Sequence, residues 1–356
     1  PYTTLFRSAL NKSATRNVIP IDIISPPKSC SFKYTISFII CKKNLIVNFC
    51  NKVYSLQMNN NKSFFASIGL LFTAAIWGFA FVVVKDSLEY IGSVYMVAIR
   101  FLIASVGMAL LFWKRLKKID KKHLIMGAVT GAFLCAAYIV QTIGCFYTTA
   151  GKNAFLTTVY VILIPIISWP LYKKRPGIYV FVAAILSMTG IGLLALGGKD
   201  IGGINIGDIL TLICGLFYAL HILWTEKCNK EGCDTLIITF LQFFFASLFA
   251  WILAPFIDGK LDVSVFGNSK VIVSLLYLGL LSSMLCFTLQ NVGLKYVQSS
   301  LASLFLSFES VFGVLFSTIF LHEKLTLKMG LGCVLIFIAV VLAETKFDFL
   351  KPKKTE

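Results

Sequence analysis

Charged residues are scarce in this sequence, and acidic residues are the scarcest of them. Only 14% of its 356 residues are Asp, Glu, Lys or Arg, and only 16 are Asp or Glu. A soluble protein of this length would normally carry about a quarter charged residues, distributed over two or three domains. The composition therefore excludes an ordinary soluble fold.

Motifs for metals, nucleotides and catalysis are also missing. The ten cysteines include no C-x-x-C pair, so the sequence supports neither a zinc site nor a disulfide framework. It contains no Walker motif for binding ATP. Of its three histidines, His221 has no acidic residue three or four positions away to form an acid–base or metal-binding pair. We expect no metal, no cofactor and no catalytic residue, and a membrane-embedded enzyme is a remote alternative.

Apolar residues dominate instead, at 58% of the sequence, and the mean hydropathy is +0.84. The charges collect in short clusters between long apolar runs, a pattern typical of repeated bilayer crossing by helices of about 20 residues. We predict an all-α integral membrane protein with ten transmembrane helices. Their approximate ranges are 65–84, 92–113, 124–147, 151–171, 177–196, 206–224, 235–256, 271–293, 299–321 and 326–344.

Lys and Arg are distributed unevenly between the two sides of the predicted spans. After Met58, one side carries seventeen of them and the other seven. By the positive-inside rule the richer side, which includes both termini, is cytoplasmic. Binding of nucleic acid would need these residues massed on a soluble face, so we interpret the net charge of +17 as a topology signal. We expect a multi-pass protein of the cytoplasmic membrane, of bacterial origin.

The two ends of the chain differ from its apolar body. Residues 1–57 contain no Met, and their apolar stretch at 34–50 is interrupted by a Lys-Lys-Asn run, which makes it too short to span a bilayer. Two interpretations remain open: this segment lies outside a native protein that starts at Met58, or it is a disordered basic arm. Residues 346–356 are predicted to form a basic cytoplasmic tail.

An internal repeat predicts how the spans are arranged. The pattern Gln-x-x-Gly-x-x-Tyr occurs at residues 141–147, near the end of the third span, and again 149 positions later at residues 290–296, near the end of the eighth. A repeat of five spans is odd, so the second copy must enter the membrane from the opposite side. We predict two inverted-topology repeats, at residues 64–198 and 205–345, with a substrate site between them near the bilayer midplane.

Polar and aromatic residues within apolar spans are the candidates for that site, because exposing polar groups to lipid is unfavourable. The predicted substrate-binding residues are Trp77, Tyr138, Gln141, Asn153, Tyr160, Tyr218, His221 and Gln290. Such a set would form a cavity of aromatic walls and hydrogen-bonding groups, suited to a small zwitterion or polar metabolite. Hydrogen bonding between helices, without contact to a ligand, is the alternative for each of them.

Glu309 and Arg100 are the ionisable residues placed most deeply in the predicted spans. Either charge alone would cost at least about 2.5–3.5 kcal/mol at the bilayer centre, so each must be paired, hydrated or neutral. Glu309 is either a proton-coupling carboxylate or a structural glutamate. Arg100 either binds a substrate carboxylate or is satisfied by snorkelling and backbone carbonyls.

Several stretches together form a pattern that resembles a known family. They are Ala74–Gly78, Arg100–Phe101, Thr149–Leu156, Gly207–Asp208, Phe308–Phe312 and His322–Thr326. The pattern is similar to the EamA domain family of the drug/metabolite transporter superfamily and covers roughly residues 64–345. The chain departs from the family at Ser310, where proline is common, and at His322, where glycine is common.

The resemblance implies a ten-helix bundle with a central cavity and export of metabolites, often amino acids. We therefore expect a secondary transporter of small metabolites that works by alternating access, with an amino acid as the leading substrate. The coupling ion remains open, and the proton is one candidate. A permease for drugs, nucleosides or sugar derivatives is the alternative within the superfamily, and a channel is a remote one. The expected partners are a small-molecule substrate and the lipid bilayer, and a homodimer remains open.

Overall fold

A computed structural model of the protein describes residues 62–173, 176–195, 205–322 and 327–345. All of them belong to the second of the chain's two structural units, Asn59–Glu356. Every regular element in these four ranges is helical, which confirms the predicted all-α class. The predictions for residues 1–57 and 346–356 lie outside the described residues.

The helices are numbered here in chain order, and three of them consist of more than one segment. They are α1 (Lys62–Ser87), α2 (Ser93–Leu116), α3 (Lys121–Tyr147), α4 (Ala150–Thr157 and Tyr160–Tyr172), α5 (Ile178–Ala195), α6 (Ile206–Lys230), α7 (Thr235–Ile257), α8 (Ser269–Leu276, a π-helical segment Tyr277–Leu285, and Cys286–Gly293), α9 (Ser299–Leu306 and Phe308–Phe320) and α10 (Leu327–Thr345). A short 3₁₀ helix, Val263–Gly267, precedes α8.

Eight of the helices in the described part of the chain are long and apolar enough to cross a membrane. They coincide with eight of the predicted spans. The remaining two predictions, 177–196 and 326–344, fall on α5 and α10, whose apolar stretches are the shorter Ile178–Gly190 and Gly330–Ala339. The chain is therefore a multi-pass membrane protein.

Helices α2 and α7 lie side by side in opposite directions, and their ends are tied together by polar groups. At the start of α2, the backbone N–H groups of Val94 and Tyr95 donate to Asp258 Oδ2, at 2.7 and 2.9 Å, just after α7 ends. A carboxylate at this position also compensates the positive end of the α2 helix dipole. At the opposite end, Arg115 forms a 3.0 Å ion pair with Asp234, the residue that caps the start of α7.

Glycines let α3 pack closely against α6 and α7. A Cβ atom on Gly127 would lie 2.4 Å from Leu241 Cβ of α7, and one on Gly131 would lie 2.9 Å from the Gln242 carbonyl oxygen. These two glycines form the Gly-x-x-x-Gly spacing found at tightly packed membrane helices. On its other face, α3 approaches α6 where Gly144 meets Gly207.

The Gly144 contact leads to a stability prediction. A Cβ there would lie 2.7 Å from Thr211 Oγ1 and 3.0 Å from the Gly207 carbonyl oxygen, so Gly144→Ala must push α3 away from α6. We expect a cost of about 1–3 kcal/mol, typical of overpacking, measured as a lower midpoint of thermal unfolding in detergent. Gly192→Ala is the matched control, because its added Cβ would meet no atom within 4 Å. Equal midpoints for the two variants would contradict this account.

The interruptions in α4 and α9 place side chains at the centre of the bundle. In α4 the helix breaks at Thr158 and Val159, and Tyr160 begins the second segment. In α9 the break falls at Ser307, and Glu309 lies in the first turn after it. Broken membrane helices commonly form the substrate sites of transporters, because the break exposes polar helix ends inside the protein.

Candidate substrate-binding cavity

A cavity lies among α1, α2, α3, α4, α6, α8 and α9. Of the ten predicted site and charge residues, nine line it: Trp77, Arg100, Tyr138, Gln141, Asn153, Tyr160, Tyr218, Gln290 and Glu309. They converge because each is a polar or aromatic residue on an apolar helix and is turned away from lipid.

Aromatic rings form much of the cavity wall. Tyr218 lies near two other tyrosine rings, with centroids 5.5 Å from Tyr138 and 6.4 Å from Tyr160. Trp77 packs against Phe287 with centroids 5.0 Å apart, and its indole N–H donates to the Ser282 carbonyl oxygen at 2.7 Å. This hydrogen bond satisfies the only polar atom of Trp77, so its ring is held in one orientation.

Amide and hydroxyl groups connect the cavity wall across helices. Tyr218 OH donates to Gln141 Oε1 at 3.0 Å, and Gln141 Nε2 donates to Thr157 Oγ1 at 3.0 Å. Asn153 Nδ2 donates to Thr211 Oγ1 at 2.8 Å. Gln141 and Asn153 therefore both face the cavity and join α3, α4 and α6.

Arg100 is buried, with 2% of its surface exposed. Its Nε donates to Ser283 Oγ and its Nη2 to Ser282 Oγ, both at 3.0 Å, and its guanidinium lies 4.4 Å from the centroid of the Tyr138 ring. Serine hydroxyls and an aromatic face satisfy part of the guanidinium without neutralising it. Among the described residues, no carboxylate lies within ion-pair distance of Arg100.

Glu309 is the buried carboxylate of the same cavity, with 3% of its surface exposed. Its Oε1 accepts a hydrogen bond of 3.0 Å from Tyr160 OH, across the two broken helices. In the part of the chain that the structure describes, no lysine or arginine forms an ion pair with it. Among the residues that the structure describes, the cavity lining therefore includes one cationic and one carboxylic side chain, and neither has a partner of opposite charge.

Two basic side chains, Lys85 and Lys152, lie next in sequence to the cavity-lining residues Val84 and Asn153, at one end of the helices that surround the cavity. Lys85 Nζ donates to three carbonyl oxygens where α3 ends, those of Cys145 at 2.9 Å, Phe146 at 3.1 Å and Thr148 at 2.8 Å. The last carbonyls of a helix lack partners within the helix, so an ammonium group there is favourable. Lys85 thereby attaches α1 to the corner between α3 and α4.

An ion pair reinforces this corner. Lys152 Nζ, on the first segment of α4, lies 2.6 Å from Asp208 Oδ2 in the first turn of α6, and only 14% and 3% of the two side chains are exposed. Thr148 Oγ1 donates to the other oxygen of Asp208 at 2.9 Å, and Asn205 forms a capping box with the same residue. We call Lys85, Thr148, Lys152 and Asp208 the corner cluster.

The EamA-like transporter family matches the sequence twice, over residues 64–196 and residues 205–345. The chain belongs to this family. Each match takes in five of the helices described above, and the cavity lining draws on both.

Relatives of this EamA-like protein carry only general names. An uncharacterized transporter of Archaeoglobus fulgidus is 35% identical over 289 residues, which cover 80% of this chain and 87% of the relative. The uncharacterized transporter YoaV of Bacillus subtilis is 23% identical and covers 79% of this chain and 97% of its own length. These names, with the family, identify a small-molecule transporter.

A solved crystal structure has a similar fold. It superposes on this EamA-like chain with a TM-score of 0.65 at 14% identity, covering 81% of this chain and 99% of that one. At this level of identity the similarity concerns the fold alone.

His221 is the one predicted site residue that does not line the cavity. It is fully buried, and its Nε2 lies 3.1 Å from Gln242 Oε1, which also accepts a hydrogen bond from Asn291 Nδ2 at 3.1 Å. These contacts place it in a polar cluster between α6, α7 and α8. Among the described residues, no group of three His, Cys, Asp or Glu is arranged to hold a metal ion.

Ser282 and Thr157 line the cavity of this EamA-like chain, but neither was among the predicted substrate-binding residues. The signal was present in both cases. Ser282 lies eight positions before Gln290, and Thr157 lies four positions after Asn153, spacings that keep residues on one face of a helix. Small hydroxyl residues are common in membrane helices, so this spacing alone did not single them out.

Proposed function

We propose that the protein is a secondary transporter that moves a small zwitterionic metabolite, an amino acid, out of the cell by alternating access. One observation supports this most directly: Arg100 and Glu309 line the same cavity, and neither is paired with an opposite charge among the described residues. A substrate with a carboxylate and an ammonium group would supply both missing partners. The buried polar groups would then favour that substrate over an uncharged analogue.

The residues that line the cavity agree with this substrate class. The tyrosine and tryptophan rings around it can contact an apolar amino-acid side chain, and the amide groups of Gln141 and Gln290 can bind a polar one. Flat rings such as nucleobases would also fit against aromatic walls. A nucleoside or drug-like substrate is therefore the alternative that the transport experiment must separate.

We also propose that the two family repeats form an inverted pair of five spans each, with α5 and α10 completing the ten. Contacts between equivalent positions support this arrangement. Tyr160 and Glu309 are 149 positions apart (309 − 160) and are hydrogen-bonded at 3.0 Å. Tyr138 and Phe287 are also 149 positions apart (287 − 138), and their ring centroids lie 5.9 Å apart. Residues near a two-fold axis contact their own counterparts in this way.

A third pair supports the same axis. Phe101 and Phe243 each begin the sequence Phe-x-x-Ala-Ser, and their rings stack with centroids 5.8 Å apart and planes inclined by 14°. On this proposal the repeats occupy residues 64–198 and 205–345, and an even number of spans leaves both termini on one side. The excess of Lys and Arg on that side assigns it to the cytoplasm.

The test is counterflow in proteoliposomes that contain the full chain. Liposomes preloaded with one unlabelled L-amino acid at a time are diluted into the same labelled compound, with and without a pH gradient. We expect saturable counterflow for at least one amino acid and stimulation by the gradient. No counterflow with any amino acid, from protein shown to be folded, would refute the substrate class, and counterflow of a nucleoside under the same conditions would favour the alternative.

A further inference from the structure

Helix α8 contains an unusual segment where it crosses Arg100. Residues Tyr277–Leu285 are π-helical, and the backbone N–H of Cys286 reaches back to the Leu281 carbonyl oxygen, five residues earlier. Such turns are rare and frequently occur at functional sites. Within this segment a Cβ atom on Gly279 would lie 2.6 Å from Ile103 Cγ2 and 3.1 Å from the Arg100 carbonyl oxygen. The absence of a side chain lets the π-helical segment pack directly against α2.

Two consecutive residues of the π-helical segment bind the same side chain. Ser282 Oγ accepts from Nη2 of Arg100 and Ser283 Oγ accepts from its Nε, both at 3.0 Å. The carbonyl oxygen of Ser282 also accepts the Trp77 indole N–H at 2.7 Å. Ser282 and Ser283 are themselves fully buried, so their hydroxyls are not satisfied by bulk water. The segment therefore holds Arg100 from one side and fixes a neighbouring wall of the cavity.

The hydrogen bonds to serine leave much of the guanidinium free. An arginine side chain has five N–H donors, and the two serines take two of them. Nη1 makes no hydrogen bond with any described residue. Serine hydroxyls orient the group without neutralising it, so the positive charge remains available inside the membrane, where an anion would bind it strongly.

We propose that the π-helical segment of α8 positions Arg100 as an anion-binding site, with Ser282 and Ser283 as positioning residues, and that the transported compound carries an anionic group that binds there. This inference rests on the proposed function in taking the cavity as the transport site. It goes further by identifying the segment and the two serines that hold Arg100 ready for that group. Carboxylate and phosphate share the required chemistry, and the experiment separates them.

The experiment measures binding, independently of transport, as ligand stabilisation of the full-length protein against thermal unfolding. The probes are matched pairs that differ in one charge, L-leucine with L-leucinamide and benzoate with benzamide, together with inorganic phosphate and the other L-amino acids. We expect at least one anionic probe to bind at least about tenfold more tightly than its neutral or amide partner. In the double variant Ser282→Ala/Ser283→Ala, the Kd of that probe should rise about tenfold.

The controls separate a positioning role from a loss of stability. Ser247→Ala removes another buried serine that hydrogen-bonds α2, through the Ala98 carbonyl oxygen at 2.9 Å, and it should leave the Kd unchanged. Ser283→Thr keeps the hydroxyl and should retain the Kd of the unaltered protein. Equal affinity for acids and amides, an unchanged Kd in the double variant, or no binding of any anionic probe to folded protein would each overturn the inference.

The outcomes also distinguish this inference from the proposed function. Binding of benzoate or phosphate that depends on the two serines, without binding or transport of any amino acid, would support the anion site and refute amino-acid transport. Amino-acid counterflow that is unaffected by Ser282→Ala/Ser283→Ala would support the transporter and overturn the positioning role.

Discussion

Glu309→Gln is expected to abolish the stimulation of substrate uptake by a pH gradient. The carboxylate is buried in the cavity, accepts one hydrogen bond from Tyr160, and has no cationic partner among the described residues. A buried membrane carboxylate of this kind can exchange a proton when the cavity opens to water, whereas the isosteric amide cannot. Gradient-driven uptake should therefore fall roughly tenfold or more, to the level without a gradient, because coupling needs a proton to be carried in each cycle.

The measurement is initial uptake of a transported amino acid into proteoliposomes with an imposed pH gradient. Glu226→Gln is the matched control, because Glu226 is also buried, with 4% of its surface exposed, but it does not line the cavity. This variant should keep its gradient stimulation. A Glu309→Gln protein that still responds to the gradient would refute proton coupling at this residue and favour its purely structural role.

Cross-linking the corner cluster is expected to stop transport. Lys152 and Asp208 join α4 to α6 by a 2.6 Å ion pair at one end of the cavity. Alternating access requires each end of the cavity to open in turn, and we expect this pair to separate when the end beside it opens. With Lys152→Cys/Asp208→Cys, a short cross-linker attached through disulfide bonds should hold the end closed and reduce counterflow roughly tenfold or more, and a reductant should restore it.

The control for this experiment places the same chemistry within a single helix. Lys227→Cys/Glu231→Cys replaces an i,i+4 pair that lies at the end of α6, 3.9 Å apart in the unaltered protein, and a cross-link there joins no separate elements. It should leave counterflow unchanged, as should the reagent applied to the unaltered protein with its native cysteines. Full counterflow with the 152–208 cross-link demonstrated by mass would mean that this end of the cavity does not open during transport.

Most of the cavity-lining residues could be predicted from the sequence, because the protein is surrounded by lipid. Lipid accepts no hydrogen bonds, so Gln141, Asn153 and Gln290 must face inward wherever they occur on apolar helices. The same rule did not distinguish residues that line the cavity from residues buried between helices elsewhere in the bundle. His221 lies three positions after Tyr218 and is just as buried, but it faces Gln242 and Asn291, whereas Tyr218 faces the cavity.

The sequence alone predicted three features: the apolar runs, the resemblance to the EamA family and the inward-facing polar residues. It could do so because helix length and helical spacing depend on residues only a few positions apart. The partners of the charged groups could not be predicted from the sequence, because they depend on how separate helices pack. Arg100 contacts two serines 182 and 183 positions away, Glu309 contacts Tyr160, and Lys152 contacts Asp208. The π-helical segment of α8 belongs to the same category, because the close approach at Gly279 and the hydrogen bonds to Arg100 accompany it only in the assembled bundle.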